Sequence, residues 1–174
     1  MQGHSRLQER QEAVQVDNLR SEVHQAFDEV TYPTTVADML AEPYRGNDDA
    51  HEMAVAFLGK PWATIATQEL FRHREMLFTL TPAAYVAYLP AYLIACLATE
   101  DPLDTYGADL REYLLDTLVI AENASQERSA TTKARLAALT TAQRTVVADV
   151  VRHLVSRWNM PRANEVLEAL DHEG

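Results

Sequence analysis

The chain has 174 residues, of which 47% are hydrophobic and 24% are charged, and its formal net charge is −11. These values describe an ordinary globular protein of one domain and exclude intrinsic disorder. The negative charge disfavours binding to the nucleic-acid backbone or to anionic membranes, so neither is an expected partner.

The first predicted helix covers residues 7–30, where apolar residues recur at steps of three and four. The polar residues 1–15 are expected to form an N-terminal extension that frays, and residues 16–174 a single helical domain. Tyr32-Pro33 is expected to end the helix, because the residue before a proline disfavours the α conformation.

Capping signals predict a second helix over residues 50–58. Asp48 or Asp49 is expected to cap it, and Glu52 is placed to complete a capping box with Asp49. Gly59 is a natural C-terminal stop, since glycine adopts the left-handed conformation at little cost.

The most informative segment is the uncharged central helix predicted over residues 82–99. Thr81 followed by Pro82 is typical of a helix start. Pro90 lies inside the helix, where a proline removes one hydrogen-bond donor at a cost of roughly 3 kcal/mol, so a kink is expected. The segment has almost the length of a membrane span, but its prolines and tyrosines indicate a buried core helix instead.

The remaining helices are predicted from periodicity and caps. They cover residues 68–76 after Thr67, 108–119, 141–158 after Thr140 or Thr141, and a last segment from Pro161. The polar residues 123–132 are predicted to be a loop, and residues 133–139 a short turn of helix. The predicted fold is therefore all-α, a single-domain irregular bundle of about six helices around the kinked central helix.

Three tyrosines give the central helix a possible function. Tyr85, Tyr88 and Tyr92 follow at i, i+3 and i+7 and so form one ridge. They predict either core packing, with each hydroxyl bonded inside the protein, or a surface for a partner. With Trp62 nearby in the fold, Tyr85 and Tyr88 are also the candidate lining of a ligand pocket.

The acids of the later part of the chain form a second candidate surface. Asp109, Glu112 and Asp116 share a face of their predicted helix. Residues 101–128 hold seven acids and two arginines, a net charge of −5, whereas residues 129–162 hold six basic residues and one acid, a net charge of +5. This asymmetry predicts either pairing between neighbouring helices or a docking face for a cationic partner.

Motifs for catalysis and for metal or cofactor binding are absent from the sequence. His51-Glu52 lacks the second histidine of the zinc motif His-Glu-x-x-His, and Cys96 is the only cysteine. No cofactor and no metal are therefore expected. An enzyme is disfavoured, although a catalytic arrangement that assembles only in three dimensions stays open.

The central segment also carries a family resemblance. Leu80-Thr-Pro-Ala-Ala, followed by Tyr88-Leu-Pro-Ala, resembles the signature of a family of small bacterial all-helical proteins of unknown function. The Gly59-Lys-x-Trp62 turn and Leu139-Thr-x-x-Gln143 agree with the same family. The resemblance implies a stand-alone helical domain and transfers no catalytic residue.

Two functions are expected from these observations. The first is a small acidic protein-binding domain, of the immunity or antitoxin type, that masks a basic partner in the cytoplasm. The second is a small-ligand-binding protein or an enzyme with a pocket near Trp62, Tyr85 and Tyr88. Self-association into a structural oligomer is a third possibility.

Overall fold

The computed structural model describes residues 2–98, 105–119, 126–158, 160 and 162–172. Within these ranges the chain is all-α, as predicted, but it forms ten α-helices where the sequence predicts about six. They are α1 (Gln2–Ala26), α2 (Val36–Met39), α3 (Asp48–Phe57), α4 (Thr67–Arg72), α5 (Met76–Thr79), α6 (Pro82–Ala98), α7 (Thr105–Leu118), α8 (Gln126–Ala138), α9 (Thr141–Arg157) and α10 (Ala163–His172). Helices α2, α4 and α5 have only four to six residues each and account for most of the difference in number. The helix predicted over residues 68–76 corresponds to α4, which ends at Arg72, and α5 begins at Met76.

Helix α6 is the buried centre of the fold, as predicted. Twelve of its 17 residues are buried, and it contacts helices on all sides, including α1, α7, α8 and α9. The Thr81 hydroxyl accepts the Ala84 N–H at 3.3 Å, which confirms the predicted cap, and the helix continues through Pro90. No helix in the described ranges is long and apolar enough to cross a membrane.

Helices α1 and α9 pair in antiparallel orientation. The Gln143 side-chain amide donates to the Ala26 carbonyl at 3.2 Å, and Arg157 lies 4.0 Å from Glu12 at the other end. Helix α1 ends at Ala26, four residues before the predicted end. The physical reason is tertiary, because Gln143 binds the carbonyl of Ala26 and the indole N–H of Trp62 binds that of Phe27, the next residue.

Of the four other predicted helix caps, two are wrong and two are confirmed. Helix α3 begins two residues earlier than predicted because Asn47, rather than either aspartate, accepts the Ala50 N–H at 2.9 Å. Thr67 lies inside α4, which begins without a side-chain cap. Gly59 adopts φ +70° after α3, and Thr140 forms a capping box at the start of α9.

Helix α8 covers most of the segment predicted to be a loop. It begins at Gln126, and its inward positions include Thr132, Arg135 and Leu136, which are all buried. Two of these three residues are polar, so the buried face has no apolar periodicity and the sequence analysis missed it. Residues 123–125 of the predicted loop, and Pro161, lie outside the described residues.

Arg135 fastens α8 to the junction between α5 and α6. Its guanidinium donates to the Leu80 carbonyl from Nε at 3.2 Å and from Nη2 at 2.8 Å, and to the Phe78 carbonyl at 2.7 Å. Leu80 also forms an antiparallel bridge with Leu40. Because Arg135 is only 3% exposed, these charge-assisted bonds fix the junction in a largely dry environment.

Candidate functional site

The tyrosine ridge belongs to the core. The rings of Tyr85, Tyr88 and Tyr92 are all 0% exposed. Their hydroxyls reach three different elements, and each bonds one partner: Thr117 Oγ1 at 3.0 Å, the Phe57 carbonyl at 2.8 Å and the His73 carbonyl at 2.9 Å. Side chains without accessible surface cannot form a docking face. The ridge packs in the core instead, and its hydroxyl bonds connect α6 to neighbouring parts of the fold.

Burial also removes these groups from acid–base chemistry near neutral pH. Burial raises the pKa of Tyr85 and of Tyr88 to about 12, and it raises the pKa of Tyr92 further. The pKa of the buried Cys96 thiol is likewise raised to about 12 by burial. These hydroxyls therefore stay protonated, and the thiol is a poor nucleophile.

Trp62 is buried in the core, where a ligand pocket lined by Trp62, Tyr85 and Tyr88 was expected. The side chain is 6% exposed, its indole N–H donates to the Phe27 carbonyl at 3.3 Å, and its backbone N–H donates to the Tyr32 hydroxyl at 3.1 Å. The His24 ring packs against the indole at 4.6 Å between centroids. Trp62, like Tyr85 and Tyr88, is thus a structural residue that joins the first helix to the core.

The three predicted acids of α7 differ in their surroundings. Glu112 is exposed, whereas Asp109 and Asp116 are half-buried. Asp116 accepts a hydrogen bond from Arg162, which links an acid of the negative segment to a base of the positive one. Asp116 is also the only one of the three that lines the largest of the described clefts.

This cleft is an open groove of about 500 Å³ between α3, α5 and α7, which we call the acidic groove. Its size lies within the range of roughly 300–1,000 Å³ typical of ligand sites. Its lining residues are Tyr44, Asn47, Asp49, Ala50, Met53, Glu75, Phe78, Thr79, Tyr113 and Asp116. Three of these ten residues are acids and none is basic, although Arg162 pairs with Asp116 at the edge of the groove.

Aromatic side chains form one wall of the acidic groove. The Tyr113 hydroxyl donates to Glu75 Oε1 at 3.1 Å, and the Phe78 ring meets the Tyr113 ring edge-on at 5.8 Å between centroids. The guanidinium of Arg74 lies 5.5 Å from the centroid of the Tyr113 ring. Carboxylates beside ring faces are the combination that binds organic cations.

The sequence analysis missed most of this groove. Asp49 was predicted only as a helix cap, and Tyr44, Glu75 and Tyr113 were not singled out. These residues belong to elements that are far apart in the chain, so no sequence spacing connects them. The only signal available in the sequence was the acidic face of α7, which supplied Asp116.

A second, smaller cleft of about 420 Å³ follows the seam between α1 and α9. It contains His153, which is 5% exposed and whose Nδ1 is buried without a hydrogen-bond partner among the described residues. Burial and the nearby Arg157 lower the pKa of His153, and Glu12 opposes them. The imidazole is therefore neutral at physiological pH.

No group of three or more histidine, cysteine or acidic side chains in the described ranges is arranged to hold a metal ion. A family model described as a family of unknown function, DUF6714, matches residues 15–172. No curated protein and no solved structure matches the chain.

Proposed function

Because the chain belongs to a family of unknown function, DUF6714, its own geometry must suggest a role, and we propose that it binds a basic protein through the acidic groove. The observation that carries this proposal is the composition of the groove, with three acids, several aromatic rings and no basic residue among its lining residues. Cationic side chains of a partner suit such a surface, since they gain both carboxylate and ring-face contacts.

The charge of the whole chain supports the same partner. A net charge of −11 attracts a basic protein over a distance and accelerates its association. The same charge opposes pairing of two copies through this groove, so the proposed partner is a different protein rather than a second copy.

The partner is a toxic basic protein that the domain masks in the cytoplasm, in the manner of an immunity protein or antitoxin. The family is bacterial, and the segment from Leu80 to Leu93 is its signature. This role requires only binding, which agrees with the buried state of the tyrosines and of Cys96.

A comparison of two triple variants tests the proposal. The groove variant D49N/E75Q/D116N removes its three charges, and the control D109N/E112Q/D171N removes three acids that do not line the groove. Each protein is used as bait in the source cell, and any captured protein is purified and titrated against all three by calorimetry. Circular dichroism verifies that the variants are folded.

We expect the wild type and the control to bind the same basic protein, with an affinity that falls as salt is added. The groove variant should lose at least tenfold in affinity. Equal binding by all three proteins would place the partner elsewhere, and a partner that is not basic would refute the charge argument.

A further inference from the structure

Two arginines of the chain itself already contact the acidic groove. Arg162 donates to Asp116, and the Arg74 guanidinium lies against the ring of Tyr113 at 5.5 Å. One contact uses a carboxylate and the other uses a ring face, and the planar guanidinium suits both. The free protein therefore already contains, at the groove, both kinds of contact that an arginine side chain can form there, one with a carboxylate and one with an aromatic ring.

The contact between Arg162 and Asp116 is one that an incoming cation can take over. Both side chains are partly exposed, at 40% and 36%, and exposed ion pairs are weak. The Nε of Arg162 also lies 3.7 Å from Glu165, in the first turn of α10. Arg162 thus keeps an acidic partner when it leaves Asp116.

Resting on the proposed function, we propose that the basic partner inserts an arginine into the acidic groove and that its guanidinium displaces Arg162 from Asp116. The guanidinium stacks on the aromatic wall near Tyr113 while it pairs with the carboxylate. A lysine ammonium is compact and strongly hydrated and has no planar face, so it gains less from the wall. Arg162 acts as an internal competitor that weakens binding of any single cation.

Small model ligands test this inference directly. The full chain, labelled with ¹⁵N, is titrated with N-acetyl-arginine amide, N-acetyl-lysine amide and the uncharged N-acetyl-citrulline amide, and amide shifts are followed by NMR. We expect the arginine ligand to shift residues around Glu75 and Tyr113 and to bind at least threefold more tightly than the lysine ligand. The citrulline ligand should not saturate the groove.

The variant R162Q tests displacement, and R157Q is its control because Arg157 contacts Glu12 away from the groove. R162Q should bind the arginine ligand several-fold more tightly, and R157Q should match the wild type. Equal affinity for arginine and lysine, or no gain in R162Q, overturns this inference and leaves the proposed function standing. Absence of groove shifts with either cation, in wild type and R162Q, overturns both.

Discussion

Replacing Arg135 with methionine should destabilise the protein strongly, because this side chain is a buried connection between α8 and the α5–α6 junction. The substitution keeps a long unbranched side chain but removes three hydrogen bonds. The Leu80 carbonyl accepts two of them, and a buried carbonyl without a partner costs about 1–3 kcal/mol. The bond to Phe78 adds about 1 kcal/mol, so we expect a loss of about 2–4 kcal/mol in the free energy of unfolding.

Urea unfolding followed by circular dichroism measures this change. The midpoint should fall at an unchanged m-value, since the substitution does not alter the surface exposed on unfolding. The conservative variant R135K keeps the charge but loses the planar fork, so it should lie between wild type and R135M. A loss below about 0.5 kcal/mol in R135M would refute the reasoning. It would show that the free-energy cost of burying the guanidinium cancels the stabilisation from its three hydrogen bonds.

Three further predictions concern single contacts. Tyr88→Phe should lower the free energy of unfolding, measured by heat or urea, by only about 1 kcal/mol, because the Phe57 carbonyl still accepts the Lys60 N–H at 3.0 Å. A loss above about 3 kcal/mol would contradict this. Thr140→Ala should cost about 1 kcal/mol through loss of the capping box, and Thr140→Ser, as control, should stay near wild type. The pKa of His153 is lower in the folded protein than in the unfolded chain, so the unfolded chain binds the proton preferentially as the pH falls. The stability contributed by neutral His153 is therefore complete above about pH 6.5 and declines below that value. H153Q should flatten this decline in urea midpoints between pH 7.5 and 5, and an unchanged slope would show that other groups cause it.

The central helix was predictable because its signals are local. Thr81 and Pro82 mark its start, and a run of apolar residues without charge requires burial whatever surrounds it. The burial of each tyrosine hydroxyl against a specific partner was one of two alternatives that the ridge left open. The choice depends on residues 19 to 32 positions away in the chain, such as His73 and Thr117, and no pattern within α6 encodes it.

The errors arise where tertiary contacts replace local signals. Helix α8 buries Thr132 and Arg135, so its inward face reads as polar in the sequence. Helix α1 ends early because Gln143 and Trp62, from distant parts of the chain, bind the carbonyls of Ala26 and of the following Phe27. The acidic groove has the same origin, since its carboxylates come from α3, from the residue before α5 and from α7, which are distant in the chain.

The antiparallel pairing of α1 with α9 has a consequence for the order in which the protein is made. The bond between Ala26 and Gln143 spans 117 positions, so the ribosome adds that many residues after α1 before its partner exists. At about 5–20 residues per second, this interval lasts roughly 6–23 s. During it, the buried side of α1 that carries Leu19 and Val23 has no α9 to pack against. Until α9 emerges, only earlier parts of the chain that α1 contacts in the fold, such as α6, are available to cover this side.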